Sequence, residues 1–179
     1  MNNPPIVTQH SIFPGGAGAS AAAMPSPWLS MLRRYIGFVA AANLIWEVLH
    51  LPLYTLWAKG ETKDLAFAAV HCTGGDVLIA LSSLVLALFI VGDSRWPSDR
   101  FGPVVVLTIL FGLAYMLFSE WLNVTVRQSW AYADGMPVLP ILKVGLSPVL
   151  QWIAIPLAAF WWARRSHVLL RLTSHEVVR

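Results

Sequence analysis

Residues Pro103 to Thr125 have the sequence PVVVLTILFGLAYMLFSEWLNVT, in which Glu120 is the only charged side chain. A helix needs about 20 mostly apolar residues to cross the roughly 30 Å hydrocarbon core of a bilayer. Three further stretches have the same character: Tyr35–Trp57, Ala66–Val91 and Ile141–Ala163. The sequence therefore predicts an all-α integral membrane protein whose four transmembrane helices form an antiparallel bundle.

The composition agrees with this prediction. The chain has 179 residues, of which 57% are hydrophobic and 12% are charged, and its mean hydropathy is +0.64. Soluble domains carry about 25% charged residues, so these values exclude a disordered chain, a nucleic-acid-binding domain and an ordinary soluble enzyme. The single cysteine, Cys72, excludes a disulfide framework and a zinc site made of cysteines.

The basic residues predict how the bundle is oriented, because loops rich in Lys and Arg stay cytoplasmic. Eight lie on one side: Arg33, Arg34, Arg95, Arg100, Arg164, Arg165, Arg171 and Arg179. Four lie on the other side: Lys59, Lys63, Arg127 and Lys143. We therefore expect a transmembrane domain over residues 28–165 in a bacterial cytoplasmic (inner) membrane, with both termini inside. Residues 1–27 are expected to form a flexible tail, and residues 166–179 a short basic cytoplasmic tail.

The predicted spans contain ionisable side chains, which cost about 2.5–3.5 kcal/mol each at bilayer depth and are usually functional. They are Glu47, His50, His71, Asp76 and Glu120. With a rise of 1.5 Å per residue, all five lie about 8–16 Å from the outer end of their span. Scattered structural residues would not sort by depth. The sequence therefore predicts one shared site that opens toward the outside.

Helical spacing places further polar residues beside these groups, because residues three or four apart lie on one face. Three sets have this spacing: Asn43, Glu47, His50 and Tyr54; Glu120, Asn123 and Arg127; Lys143, Ser147 and Gln151. By contrast, His71 and Asp76 are five residues apart, which is about 140° around a straight helix. We expect both to face the site only if the intervening Gly74–Gly75 pair kinks the helix.

The leading hypothesis is a metal site. The spacing Glu47-x-x-His50 is the one that di-iron carboxylate bundles use, although the corresponding Glu120-x-x-Asn123 lacks the histidine. The predicted ligands are Glu47, His50, His71, Asp76 and Glu120, a nitrogen and oxygen set that suits iron, zinc, manganese or copper(II). The neighbouring groups predicted to orient ligands or bind substrate are Asn43, Tyr54, Asn123, Ser147 and Gln151.

Other functions stay open at this point. Glu47, His50 and Asp76 could instead perform acid–base catalysis without a metal on an isoprenoid or another lipid. A structural subunit could use the polar cluster to bind a membrane-protein partner or a second copy of the chain. Haem held by His50 and His71 is less favoured, because the acids would crowd an apolar macrocycle. Proton-coupled transport is also less favoured, because the polar groups stop halfway across the membrane.

Overall fold

The computed structural model describes the backbone of residues 27–176 and the side chains of residues 28–165. The tail predicted over residues 1–27 lies outside the described part, apart from Pro27, where the first helix begins. The side chains of the tail predicted over residues 166–179 lie outside it as well.

Five α-helices make up most of the described chain: α1 Pro27–His50, α2 Leu56–Lys59, α3 Thr62–Val91, α4 Phe101–Glu120 and α5 Leu146–Glu176. A 3-10 turn, Leu51–Leu53, follows α1, and a π-helical turn, Trp121–Val126, continues α4. Two short antiparallel strands, β1 Val138–Leu139 and β2 Val144–Gly145, precede α5.

Four segments are long and apolar enough to span a membrane: Trp28–Leu53, Thr62–Val91, Phe101–Val126 and Leu146–Arg165. This confirms the prediction of four such helices. Their exposed faces carry large apolar side chains, among them Leu49, Phe89 and Leu110. Such faces are stable against lipid tails, which are as apolar as the side chains themselves.

The helices differ from the predicted spans at several ends, and proline explains the difference at the end of the first span. The first span was expected to continue to Trp57, but α1 ends at His50. Pro52 has no backbone N–H, and its ring disfavours a helical conformation for the residue before it. Tyr54 therefore lies outside α1, in an extended conformation with φ −115° and ψ 148°.

The fourth span begins later than predicted. It was expected from Ile141, but the chain first forms the β1–β2 hairpin, and α5 begins at Leu146. Lys143 precedes β2 with a positive φ of 54°, so it does not share a helical face with Ser147 and Gln151 as the spacing had suggested.

The helices pack so that each long helix contacts two others. Helix α1 packs against α3 and α5, and α4 packs against α3 and α5. Small residues such as Ala87 and Ala159, both fully buried, allow close approach of the backbones. Gly112 does the same on α4, where a Cβ atom would collide with the ring of Trp152 on α5.

The apolar core is concentrated where α1 begins and α5 approaches its end. Tyr35 and Phe160 are buried there with their ring centroids 4.4 Å apart. The buried ionisable groups lie toward the other end, near His50 and the start of α5. Apolar packing and polar contacts are therefore separated along the helices.

Candidate functional site

The polar stripe predicted on α1 is buried. Asn43 is 4% exposed, Glu47 7% and His50 8%. The spacings of four and three residues place all three on one face of the helix. The structure therefore buries this part of the predicted stripe, and α5 supplies the groups that the stripe contacts.

Gln151 on α5 joins this stripe to α3. Its Nε2 atom lies 2.8 Å from Oδ1 of Asn43, 3.0 Å from Oε1 of Glu47 and 3.0 Å from Oδ2 of Asp76. An amide NH2 group has two hydrogens, so it donates to two of these three oxygens at a time. Two oxygens that each lie 3.0 Å from one nitrogen are no more than about 6 Å apart, so Gln151 brings two carboxyl groups together.

A second chain of hydrogen bonds orients His50. The indole N–H of Trp46 donates to Oγ of Ser147 over 3.1 Å. The same Oγ lies 3.1 Å from Nδ1 of His50, and Nε2 of His50 lies 3.1 Å from Oε2 of Glu47. A neutral imidazole that accepts from Ser147 and donates to Glu47 satisfies every group in this chain.

The order Ser147–His50–Glu47 has the connectivity of a Ser–His–acid triad, but the serine is not placed to attack a substrate. Its oxygen accepts the Trp46 N–H, and the cavity described below is lined by its neighbours Pro148 and Gln151. Ser147 therefore positions the ring of His50.

Glu120 has a partner that the sequence analysis had not assigned to the site. It is 8% exposed, and its Oε2 accepts a hydrogen bond from the hydroxyl group of Tyr132. That hydroxyl also accepts the backbone N–H of Gly145 over 2.9 Å. Burial, together with the hydrogen bond to Glu120, raises the pKa of Tyr132 above its ordinary value. Tyr132 therefore remains neutral and continues to donate at neutral pH.

The loop after the π-helical turn is attached to the segment after α1. Tyr54 and Tyr132 form an antiparallel bridge. The N–H of Thr55 donates to the carbonyl of Ala131 over 2.9 Å, and the N–H of Ala133 donates to that of Leu53 over 2.9 Å. These bonds hold Tyr132 close enough to reach Glu120.

These groups line a cavity of about 410 Å³, which is within the usual range for small-molecule sites. The ionisable side chains in its lining are Glu47, His50, His71, Asp76, Glu120 and Arg127. Aromatic side chains form much of the rest: Tyr54, Tyr115, Trp130 and Trp152. Such a cavity combines an apolar surface with a few polar groups.

The indole N–H of Trp130 is buried and interacts with the carboxyl group of Glu120, although no hydrogen bond of ordinary geometry joins it to the described residues. Buried donors are nearly always paired, and Trp130 lines the cavity. Trp130 is therefore a second donor, besides Tyr132, near Glu120.

Two predicted site residues line the cavity without joining the hydrogen-bonded cluster. His71 is exposed and stacks on Phe67, with a centroid distance of 5.3 Å. Helix α3 is continuous through Gly74 and Gly75. His71 and Asp76 therefore keep the separation of about 140° that a straight helix gives them. The amide of Asn123 donates to the carbonyl of Ser119 over 2.9 Å, within its own helix.

Tyr132, Trp46 and Trp130 were missing from the predicted site. Trp46 is adjacent to Glu47, but nothing in the spacing indicates its contact with a serine 101 residues away. Tyr132 and Trp130 lie in a loop, where side-chain direction has no periodicity. The only hint in the sequence was that this loop contains aromatic residues. Aromatic residues near the end of a span usually serve as membrane anchors, so they did not indicate a site.

The donor set does not fit the predicted metal ion. Within the described residues, no group of three or more His, Cys, Asp or Glu side chains is arranged to hold a metal. Both oxygens of Glu47 and both ring nitrogens of His50 already take part in hydrogen bonds. The same bonds leave His50 without a nitrogen for haem iron. The metal and haem hypotheses stay predictions that this geometry does not support.

Comparison of the chain with protein-family models, with curated proteins and with solved structures finds no match.

Proposed function

We propose that the chain is a membrane enzyme that moves protons on a lipophilic substrate in the 410 Å³ cavity, by acid–base catalysis without a metal ion. The observation that carries this proposal is the pair of carboxyl groups, Glu47 and Asp76, each 3.0 Å from the amide nitrogen of Gln151. Both belong to residues that line the cavity.

The pair supplies both a proton donor and a proton acceptor. Two carboxylates this close in a low-dielectric layer repel each other, so one shared proton leaves one group protonated and the other ionised. Asp76 is the more exposed of the two, and it contacts the substrate. His50 donates to Glu47 and acts as a positioning residue.

The reaction class follows from these roles. The protonated carboxyl group adds its proton to one carbon of a carbon–carbon double bond, and the carboxylate removes a proton from a neighbouring carbon. The double bond shifts, the composition of the substrate is unchanged, and the pair again holds one proton. General acid–base catalysis of this kind contributes roughly 10²–10⁴-fold to a rate.

We further infer that the four helices form an antiparallel bundle in a bacterial cytoplasmic membrane, with both termini inside and the cavity open to the outside. The excess of basic residues on one side of the bundle supports this orientation. An isoprenoid or another lipid would then enter the cavity from the bilayer. The aromatic side chains would contact its apolar part.

The experiment uses a feature of proton transfer that does not depend on knowing the substrate. The purified protein is incubated in D2O with a lipid extract of its host membrane, and the extract is searched by mass spectrometry for deuterium on carbon. We expect one lipophilic component to gain deuterium with the unaltered protein and not with Asp76→Asn. Asp134→Asn, which neutralises an exposed loop carboxylate, is the matched control and should behave as the unaltered protein does.

Either of two results would overturn the proposal. One is the absence of deuterium gain in every component with the unaltered protein. The other is an equal gain with Asp76→Asn, provided that this variant retains the circular dichroism and melting temperature of the unaltered protein.

A structural subunit is the second candidate, favoured by the way Gln151 and Asn43 join helices through bonds that need no ligand. Under that function, Glu47→Gln would release a co-purifying membrane protein, whereas Asp134→Asn would not. An enzyme of the proposed kind would lose deuterium transfer in Glu47→Gln without losing a partner.

A further inference from the structure

A second concave surface lies at the opposite end of the described helices from the polar cluster. It has a volume of about 610 Å³ and is lined by residues at the start of α4 and late in α5. The lining consists of five apolar residues, Phe101, Val105, Leu157, Phe160 and Trp161, and two basic residues, Arg164 and Arg165. We call this surface the arginine groove.

The lining changes from apolar to cationic along the helix axis. Leu157 lies two turns of α5 before Arg164, and Val105 lies one turn into α4 from Phe101. Leu157 is 48% exposed and so is open to the lipid layer. An apolar wall that ends in positive charge matches a phospholipid, in which acyl chains end at a phosphate.

Aromatic rings hold the two guanidinium groups in place. The Cζ atom of Arg164 lies 4.6 Å from the ring centroid of Phe101, and that of Arg165 lies 4.3 Å from the ring of Trp161. Stacking of this kind uses the face of the guanidinium group. The N–H groups at its edge remain free to bind phosphate oxygens in pairs.

The acidic residues nearest in sequence to the start of α4 do not neutralise this pair. Asp93 lies 3.4 Å from Nε of Arg95, and Asp99 lies 2.7 Å from Nη2 of the same arginine. Among the side chains that the structure describes, no carboxylate forms an ion pair with Arg164 or Arg165. The occupant that complements the groove is therefore an anion.

We propose that the arginine groove binds one anionic phospholipid, with the phosphate on Arg164 and Arg165 and one acyl chain along Val105, Leu157 and Phe160. This site is separate from the cavity and does not depend on the reaction proposed for it. A general attraction of the basic end to anionic lipids would count every arginine equally. A site in the groove instead depends on Arg164 and Arg165, which line it.

The test measures lipid binding by the full-length protein in a neutral detergent, with native mass spectrometry and dioleoyl phosphatidylglycerol or phosphatidylcholine as the probes. We expect one phosphatidylglycerol per chain to bind in clear preference to phosphatidylcholine. Arg164→Gln with Arg165→Gln should weaken phosphatidylglycerol binding roughly 30-fold, since each basic residue near an anionic surface contributes about 1 kcal/mol and each 1.4 kcal/mol is tenfold in affinity. Arg33→Gln with Arg34→Gln removes the same charge from the same end and should weaken binding much less, because neither of these arginines lines the groove.

A third variant tests the apolar half of the groove without changing charge. Leu157→Trp fills the space beside Phe160 and should weaken phosphatidylglycerol binding while the melting temperature in phosphatidylcholine stays the same. Water-soluble glycerol phosphate, added at the same concentration as the lipid, should fail to displace it. Equal losses in the two double variants, or full displacement by glycerol phosphate, would overturn the assignment to a phospholipid.

Discussion

The side-chain amide of Gln151 lies 3.0 Å from the carboxylate of Glu47, across 104 positions of sequence. Both residues are buried, at 2% and 7% exposure. This contact ties the start of α5 to the end of α1. Gln151 also contacts a second carboxyl group, that of Asp76, and so brings α3 into the same cluster.

Gln151→Leu keeps the side-chain size and removes the donor shared by Asn43, Glu47 and Asp76. A buried acceptor without its donor costs about 1–3 kcal/mol, so we expect the free energy of unfolding to fall by that amount. Unfolding in mixed detergent micelles, followed by circular dichroism, measures it. Leu150→Ala, at an adjacent and more exposed position of α5, should cost clearly less. A loss for Gln151→Leu no larger than that of the control would contradict the prediction.

Tyr132→Phe removes the hydroxyl group that connects Glu120 with the N–H of Gly145. We expect faster hydrogen–deuterium exchange across residues 128–137 and at Gly145, because the loop loses its contact with the helix. Tyr115→Phe is the control, since Tyr115 also lines the cavity but is 53% exposed. Its exchange pattern should match that of the unaltered protein. Unchanged exchange in Tyr132→Phe would show that the backbone bonds alone hold the loop.

The raised pKa of Tyr132 also predicts a dependence on pH. The folded state favours the protonated hydroxyl, which is buried and donates to Glu120. Its contribution to stability is therefore fully present below the ordinary tyrosine pKa of about 10 and is lost as the pH rises above it. The difference in unfolding free energy between the unaltered protein and Tyr132→Phe should be constant from pH 7 to 9 and shrink above pH 10. A difference that grows with pH would contradict the assignment.

The Ser147→Ala variant tests whether Ser147 orients the ring of His50 or itself reacts with the substrate. Because Ser147 contacts His50 and Trp46 and only positions the ring, we expect the rate of deuterium transfer to fall by roughly 10-fold, less than the 10²–10⁴-fold that an acid–base group itself contributes. Ser147→Thr, which retains the hydroxyl group, should restore most of the rate. Complete loss in both variants, with the fold intact, would instead indicate that the serine reacts with the substrate.

Gly112→Ala tests the packing that places Trp152 against the cavity. The added methyl group would collide with the indole ring, and overpacking of this kind costs about 1–3 kcal/mol. Gly74→Ala is the matched control, because a Cβ atom there meets nothing within 4 Å. We expect the melting temperature to fall for Gly112→Ala and to stay the same or rise by a few degrees for Gly74→Ala, because Ala is favoured over Gly in a helix interior by about 0.5–1 kcal/mol. Equal effects would show that the helix pair can separate at Gly112 without cost.

The four membrane-spanning helices could be predicted without coordinates, because length and hydropathy are local properties of the chain. The buried face of α1 could be predicted as well, since the spacing from Asn43 to His50 is that of an α-helix. The positions of Tyr54 and Lys143 could not, because both lie where proline, a turn or a strand interrupts the helical period. Extending the period past such a point places a side chain on the wrong face.

The cluster itself required the tertiary structure. The sequence alone predicted that costly acids and histidines lie at similar depths in an apolar chain. It did not establish that Gln151 joins Glu47 to Asp76, that His71 stays outside the hydrogen-bonded cluster, or that Tyr132 donates to Glu120. Those outcomes depend on how α1, α3 and α5 are rotated against each other, and on a loop without periodicity. Depth follows from counting residues along one helix, whereas a hydrogen bond between helices depends on the packing of all of them.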